Sequence, residues 1–282
     1  MLNKNILNYM ACDSEYESSK IVMYGVPFDS TTSFRPGTRF APNVIRNESY
    51  GLETYSPYQD KDLTDCAVFD SGDIELAIGD TEKVLSAIEE RASVIFNDGK
   101  IPFMIGGEHL VTLGAIRAAI NKYPDLYIVH FDAHTDLRED YLGVKLSHAA
   151  VIKRCWDLIG DSRIFQFGIR SGEKYEFEWA KQHTFLNKFN FNGLDDVIDK
   201  LKNKHVYFTL DLDVLDPSVF SGTGTPEPGG VSFIELMNAA IKVCSKLNII
   251  GCDVNELSPS YDASGASTAV ACKIIREMLL AI

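Results

Sequence analysis

Short apolar, β-rich runs alternate with stretches of helical periodicity from residue 21 to the end of the chain. That alternation favours one parallel sheet with helices on both faces. Strands are expected at 21–26, 66–70, 101–105, 126–131, 163–167, 184–189, 205–210 and 249–252, the sixth of them weak. Leu126-Tyr127-Ile128-Val129-His130-Phe131 is typical, apolar at nearly every position like a strand covered on both sides. Helices are expected from Pro42 through Glu48, from Asp80 or Thr81 to Asp98-Gly99, and over 110–122, 147–156, 173–180, 195–201, 232–243 and 264–280. Pro42 suits a first helical turn. Asp80 or Thr81, Ser147, Ser232 and Ser264 are the expected starts or caps. Residues 1–19 are polar and read as a surface segment that packs late or on a neighbour. No linker, repeat or composition shift divides the chain, so a single domain over 1–282 is expected.

Three of these strands end in metal-type donors. The run at 126–131 empties into Asp132-Ala133-His134-Thr135-Asp136, and the run at 205–210 into Asp211-Leu212-Asp213. The run at 101–105 leads into Gly106-Gly107-Glu108-His109. In extended chain, side chains at i, i+2 and i+4 point the same way. The plainer reading of Asp-x-His-x-Asp is a capped strand end with solvated carboxylates. Three such ends together favour a cation, because ligands of an open parallel sheet bind beyond the carboxyl ends of its strands. Six side chains, mostly carboxylate with two imidazoles, suit a hard divalent ion such as Mn²⁺. They are too many for one ion that keeps an open position, and two ions fit better.

The same residues resemble the motifs of the ureohydrolase family, the arginases, agmatinases and their relatives. The resemblance extends to Gly25-Val26-Pro27-Phe28-Asp29, Arg35-Pro36-Gly37 and Asp253-Val254-Asn255-Glu256-Leu257-Ser258-Pro259, and so covers nearly the whole chain. Within the family it is greatest to bacterial agmatinases. It implies a three-layer α/β/α arginase-like fold with an eight-stranded parallel sheet. It also implies two Mn²⁺ per chain, with His109 and Asp136 on one ion, His134 and Asp213 on the other, and Asp132 and Asp211 bridging. A hydroxide between the ions would attack a guanidinium carbon. Glu256 would hold the cationic substrate, Asp136 would pass a proton to the leaving nitrogen, and His148 would act as proton shuttle. A histidine suits relay near neutrality. Without those roles, Glu256 is a surface or capping glutamate and His148 a first-turn histidine. His130, His183 and His205 read as core or surface residues. The family also suggests a trimeric or hexameric homo-oligomer.

A formal charge of −13 argues against a nucleic-acid partner and favours a cationic one. No apolar run approaches the roughly 20 residues of a membrane span. The polar start lacks a signal-peptide core, and six scattered cysteines without a C-x-x-C pair suit free thiols in a reducing cytoplasm.

The substrate class that follows is a small cationic guanidino compound, with agmatine first. Its hydrolysis gives putrescine and urea, a step of polyamine biosynthesis. 4-Guanidinobutyrate, arginine and formiminoglutamate are the alternatives within the chemistry; a metal-binding protein that has lost catalysis is the alternative outside it. Where the resemblance places an arginine-binding Asn in arginase, this chain has Arg138. Arg138 is expected to point outward, paired to Glu139 or Asp140, and one of those carboxylates or a neighbour to receive the ammonium of agmatine. Arg35 and Arg39 are expected in structural ion pairs.

Overall fold

A computed structural model describes residues 6–282. Its strands are β1 (Ile21–Gly25), β2 (Tyr55–Ser56), β3 (Lys61–Asp62), β4 (Val68–Asp73), β5 (Ile101–Ile105), β6 (Tyr127–Phe131), β7 (Ile164–Ile169), β8 (Phe185–Lys188), β9 (His205–Asp211) and β10 (Asn248–Asn255). Its α-helices are α1 (Ala41–Ser49), α2 (Thr81–Asn97), α3 (Thr112–Lys122), α4 (Val151–Ile159), α5 (Lys174–His183), α6 (Leu194–Leu201), α7 (Phe233–Lys246) and α8 (Ala266–Ala281). Eight strands form one sheet in the order β4-β1-β5-β10-β9-β6-β7-β8. Every pairing in it is parallel. The short antiparallel pair β2–β3 was not expected, because two residues a side give no readable alternation.

The pleat sorts side chains between two apolar layers. Ile21 and Met23 of β1 join one cluster with residues of α1, α6, α7 and α8. Val22 and Tyr24 join the other, with residues of α2, α3 and α4. The result is the three-layer α/β/α arrangement. Asp80 caps α2 by accepting from Lys83 N–H at 3.1 Å, and Ser232 with Glu235 forms a capping box on α7.

Four readings are corrected. Residues 8–12 are not a surface segment: Tyr9, Met10 and Cys12 are buried. The Tyr9 hydroxyl donates to Cys272 O at 2.5 Å and its N–H to Asp70 Oδ2 at 2.9 Å. Residues 1–5 of that segment lie outside the described residues. β10 runs three residues beyond 252, because Asp253 and Asn255 find buried partners in Tyr207, Thr209 and Thr112. Ser147 makes no capping bond, and a 3₁₀ turn (His148–Ala150) precedes α4. Gly265, not Ser264, is the residue before α8.

All six cysteines are free. Among the described residues, no helix is long and apolar enough to cross a membrane. Four adjacent central strands, β5, β10, β9 and β6, bring the donor-bearing segments to one edge of the sheet.

Candidate metal centre

β6 ends at Phe131, and the chain beyond it bends rather than continuing as strand. Asp136 has φ +52°, in the left-handed region that non-glycine residues seldom adopt. The convergence of Asp132, His134 and Asp136 therefore comes from a bend, not from a prolonged pleat. Asp132 stands at the middle of the constellation. Its Oδ2 lies 3.0 Å from His109 Nδ1, while its Oδ1 lies 3.5 Å from His134 Nδ1. Around His109 Nδ1 are also Asp136 Oδ2 at 3.3 Å and Asp211 Oδ2 at 3.4 Å. Around His134 Nδ1 is Asp213 Oδ2 at 3.0 Å. Two donor groups result, His109, His130, Asp132 and Asp136 in one and Asp132, His134 and Asp213 in the other. Asp132 belongs to both.

Most of these groups are buried and packed close together. Burial, then repulsion from Asp132, pushes the Asp136 carboxyl up to about 7. Burial and the Asp213 carboxylate drive Asp211 well up. Glu256 rises through burial and its neighbour Glu108. Burial would raise Asp132 as well, but hydrogen bonds from His109 and His130 bring it well below the usual carboxylate range. Buried carboxylates that repel one another are stabilised by a bound cation. The donor set fits hard divalent metal, with carboxylate oxygens and the imidazoles of His109, His134 and, in the first group, His130.

The turn after β5 carries more than a ligand. Glu256 has φ +67° and donates its N–H to Gly107 O at 2.9 Å. One of its oxygens, Oε1, accepts from His109 N–H at 2.7 Å. A Cβ on Gly107 would lie 1.9 Å from Phe28 O, so only glycine lets the 28–33 loop close over the turn. A cleft of about 320 Å³ is lined by His134, Asp136, Arg138, Tyr141 and His148, among others. Burial, with His134 and His109 nearby, pushes the His148 imidazole down to about 4.

Several partners of the ligands were not singled out from sequence. His130 Nε2 lies 2.8 Å from Asp132 Oδ2, and Thr209 Oγ1 lies 2.8 Å from His109 Nε2. Each sits two residues before an aspartate of the constellation, on the same face of its strand, and period-two alternation was the available signal. Such partners fix the orientation of a ligating ring or carboxylate. Arg170 ties the site from behind, donating to the carbonyls of Asp213 at 2.7 Å and Glu227 at 2.8 Å.

The mouth differs from expectation. Arg138 is not paired to Glu139 or Asp140. Its guanidinium lies 3.4 Å from Glu173 and 3.9 Å from Glu176, over the Tyr141 ring. Glu139 is taken by Lys153 at 3.0 Å and Arg154 at 3.4 Å. Asp140 accepts from Gly143 N–H at 2.9 Å. Charged loop residues choose partners across space that chain proximity does not reveal. Arg39 is in a structural pair, with Asp29, while Arg35 stacks on Phe34 and Tyr261.

Fold and donor set define an α/β protein with a cluster of His and Asp side chains able to hold a metal ion. The Arginase family profile matches residues 19–281, and the chain belongs to that family. It is a hydrolase. Agmatinase of Bacillus subtilis is 48% identical, over 96% of this chain and 95% of its own. A solved structure from Clostridium difficile, proposed to be an agmatinase, superposes with a TM-score of 0.92 at 53% identity, covering 95% of this chain and 98% of that one. Guanidinobutyrase of Pseudomonas aeruginosa is 32% identical, over 97% of this chain and 89% of its own.

Proposed function

We propose that this chain hydrolyses agmatine to putrescine and urea in the cytoplasm, with two Mn²⁺ ions held by His109, Asp132, His134, Asp136, Asp211 and Asp213. The observation that carries the two-ion reading is the sharing of Asp132, one oxygen toward each histidine. Two divalent cations there would supply Lewis acidity and a water acidic enough to be a nucleophile at neutral pH. The chain's own residues supply the rest. Glu256, buried beside the turn, offers a carboxylate to the guanidinium. Asp136, 3.3 Å from His109 Nδ1, is placed to pass a proton to the leaving amine. His148, on the wall of the cleft, relays protons to solvent.

Agmatine is favoured over guanidino acids by the charge at the mouth. The Arg138 guanidinium is already countered by Glu173 and Glu176. The Glu227 carboxylate accepts the Ser171 hydroxyl at 2.9 Å, lies 3.9 Å from His134 Nε2 and forms no ion pair with a Lys or Arg side chain among the described residues, so it can receive an ammonium. The 48% identity to an agmatinase supports the same substrate. Urea release across agmatine, arginine and 4-guanidinobutyrate tests the reading. We expect kcat/KM for agmatine to exceed that for arginine by at least about 100-fold, or roughly 2.7 kcal/mol of differential transition-state binding. Equal rates on arginine would refute it. A preference for guanidinobutyrate would move the assignment to that acid and make Arg138 its carboxylate partner.

A further inference from the structure

The Glu108 carboxylate sits next to ligand His109 in sequence, is fully buried, and faces away toward the 28–33 loop. It accepts the Thr31 N–H at 2.9 Å, the Thr31 hydroxyl at 2.5 Å and the Thr32 hydroxyl at 3.0 Å. Both hydroxyls donate to it, which fixes their direction. The Thr31 oxygen, having given its proton to Glu108, turns its lone pair to His148 and accepts that residue's N–H at 3.1 Å. Two residues on, Ser33 N–H donates to His148 Nε2 at 3.2 Å. The loop thus grips His148 by its backbone and by its ring, and is itself gripped by the residue beside a metal ligand. Gly107, stripped of a Cβ, is what lets the loop come this close.

We infer that Thr31, clamped by Glu108, is a positioning residue for His148, holding the imidazole at the distance from the metal turn that proton relay requires. The inference rests on the relay role proposed above for His148. Its physical basis is the steep dependence of reaction on placement, where a displacement of about 1 Å can cost roughly 10²-fold. A loop anchor of purely structural kind would use the same bonds to Glu108 but would have no need to end on His148.

The test is steady-state urea release from agmatine by Mn-loaded Thr31→Val, Thr31→Ser, His148→Ala and the Thr31→Val/His148→Ala double variant, with metal content measured on each. Valine keeps the branched shape and removes both hydroxyl bonds. We expect Thr31→Val to lower kcat about tenfold or more, with KM and metal content unchanged. Thr31→Ser should restore turnover. In the double variant the Thr31 change should add nothing to the loss caused by His148→Ala, because the group being positioned is gone. If Thr31→Val does not fold, Thr31→Ala carries the same comparison. Wild-type kcat in Thr31→Val, or a loss that multiplies fully with that of His148→Ala, overturns the positioning role while leaving the relay role standing. Wild-type kcat in His148→Ala overturns the relay role and this inference with it.

Discussion

Asp132 is held from several sides: His130 Nε2 at 2.8 Å and His109 Nδ1 at 3.0 Å on one oxygen, the His134 N–H at 2.5 Å on the other. That crowding explains why its neighbour in the strand matters. Replacing His130 by Phe keeps a ring in the buried space and removes the hydrogen bond. We expect metal affinity to fall about 10–100-fold, as for other residues that orient ligands. A metal titration giving wild-type affinity would leave His130 as mere packing. His148→Ala should lower kcat toward the low end of the roughly 10²–10⁴-fold range of general acid–base groups, with metal content unchanged. Unchanged turnover would remove it from the chemistry. The candidate ligands were legible at this scale because three strand ends carry metal-type donors; the bend that gathers Asp132, His134 and Asp136 was not. Thr31 and Ser33 were not, since a loop rich in Ser, Thr and Pro has no periodicity to read. Arg138 was misread for the same reason, its partner Glu173 lying 35 positions away.

Among the elements, the turn between β5 and α3 does the most joining. It receives Glu256 from the end of β10 and the 28–33 loop from the end of β1. Gly107 is where the loop backbone comes close, its missing Cβ leaving room for the Phe28 carbonyl and nitrogen. Gly107→Ala forces backbone apart rather than a flexible side chain. We expect about 1–3 kcal/mol of destabilisation, the usual cost of overpacking, together with lost metal binding as His109 is displaced. A variant with wild-type melting and metal content would show that the loop has slack. The sheet strands were readable because each is a short apolar run between turn residues. The length of β10 was not, because Asp253 and Asn255 are polar by composition yet paired inside the fold.

Across the whole molecule, one layer of the fold closes on a buried ion pair. Arg46 of α1 donates to both oxygens of Asp70, at 2.8 and 3.0 Å, and contacts Asp73 as well. Asp70 also receives the Tyr9 N–H, so the pair ties the start of the chain to the sheet. Arg46→Ala would leave Asp70 buried without its cation, and we expect a loss of about 3–5 kcal/mol in chemical denaturation. A loss below about 1 kcal/mol would mean that the site rehydrates, a cost typical of an exposed pair. A parallel sheet with helices on both faces was legible from alternation, and its three-layer form from the resemblance, whereas this closure was not, because nothing near Tyr9 in sequence announces a partner at Asp70 or Cys272. The sheet, the turn and the bend after β6 converge on a single arrangement, two donor groups that share Asp132, which we propose hold two ions. Metal analysis of Mn-loaded protein tests that arrangement most directly. The account predicts close to two ions per chain for the native sequence and loss of both in Asp132→Ala and in Asp211→Ala. Either variant holding one ion at full occupancy, or a native chain saturating at one, would contradict it.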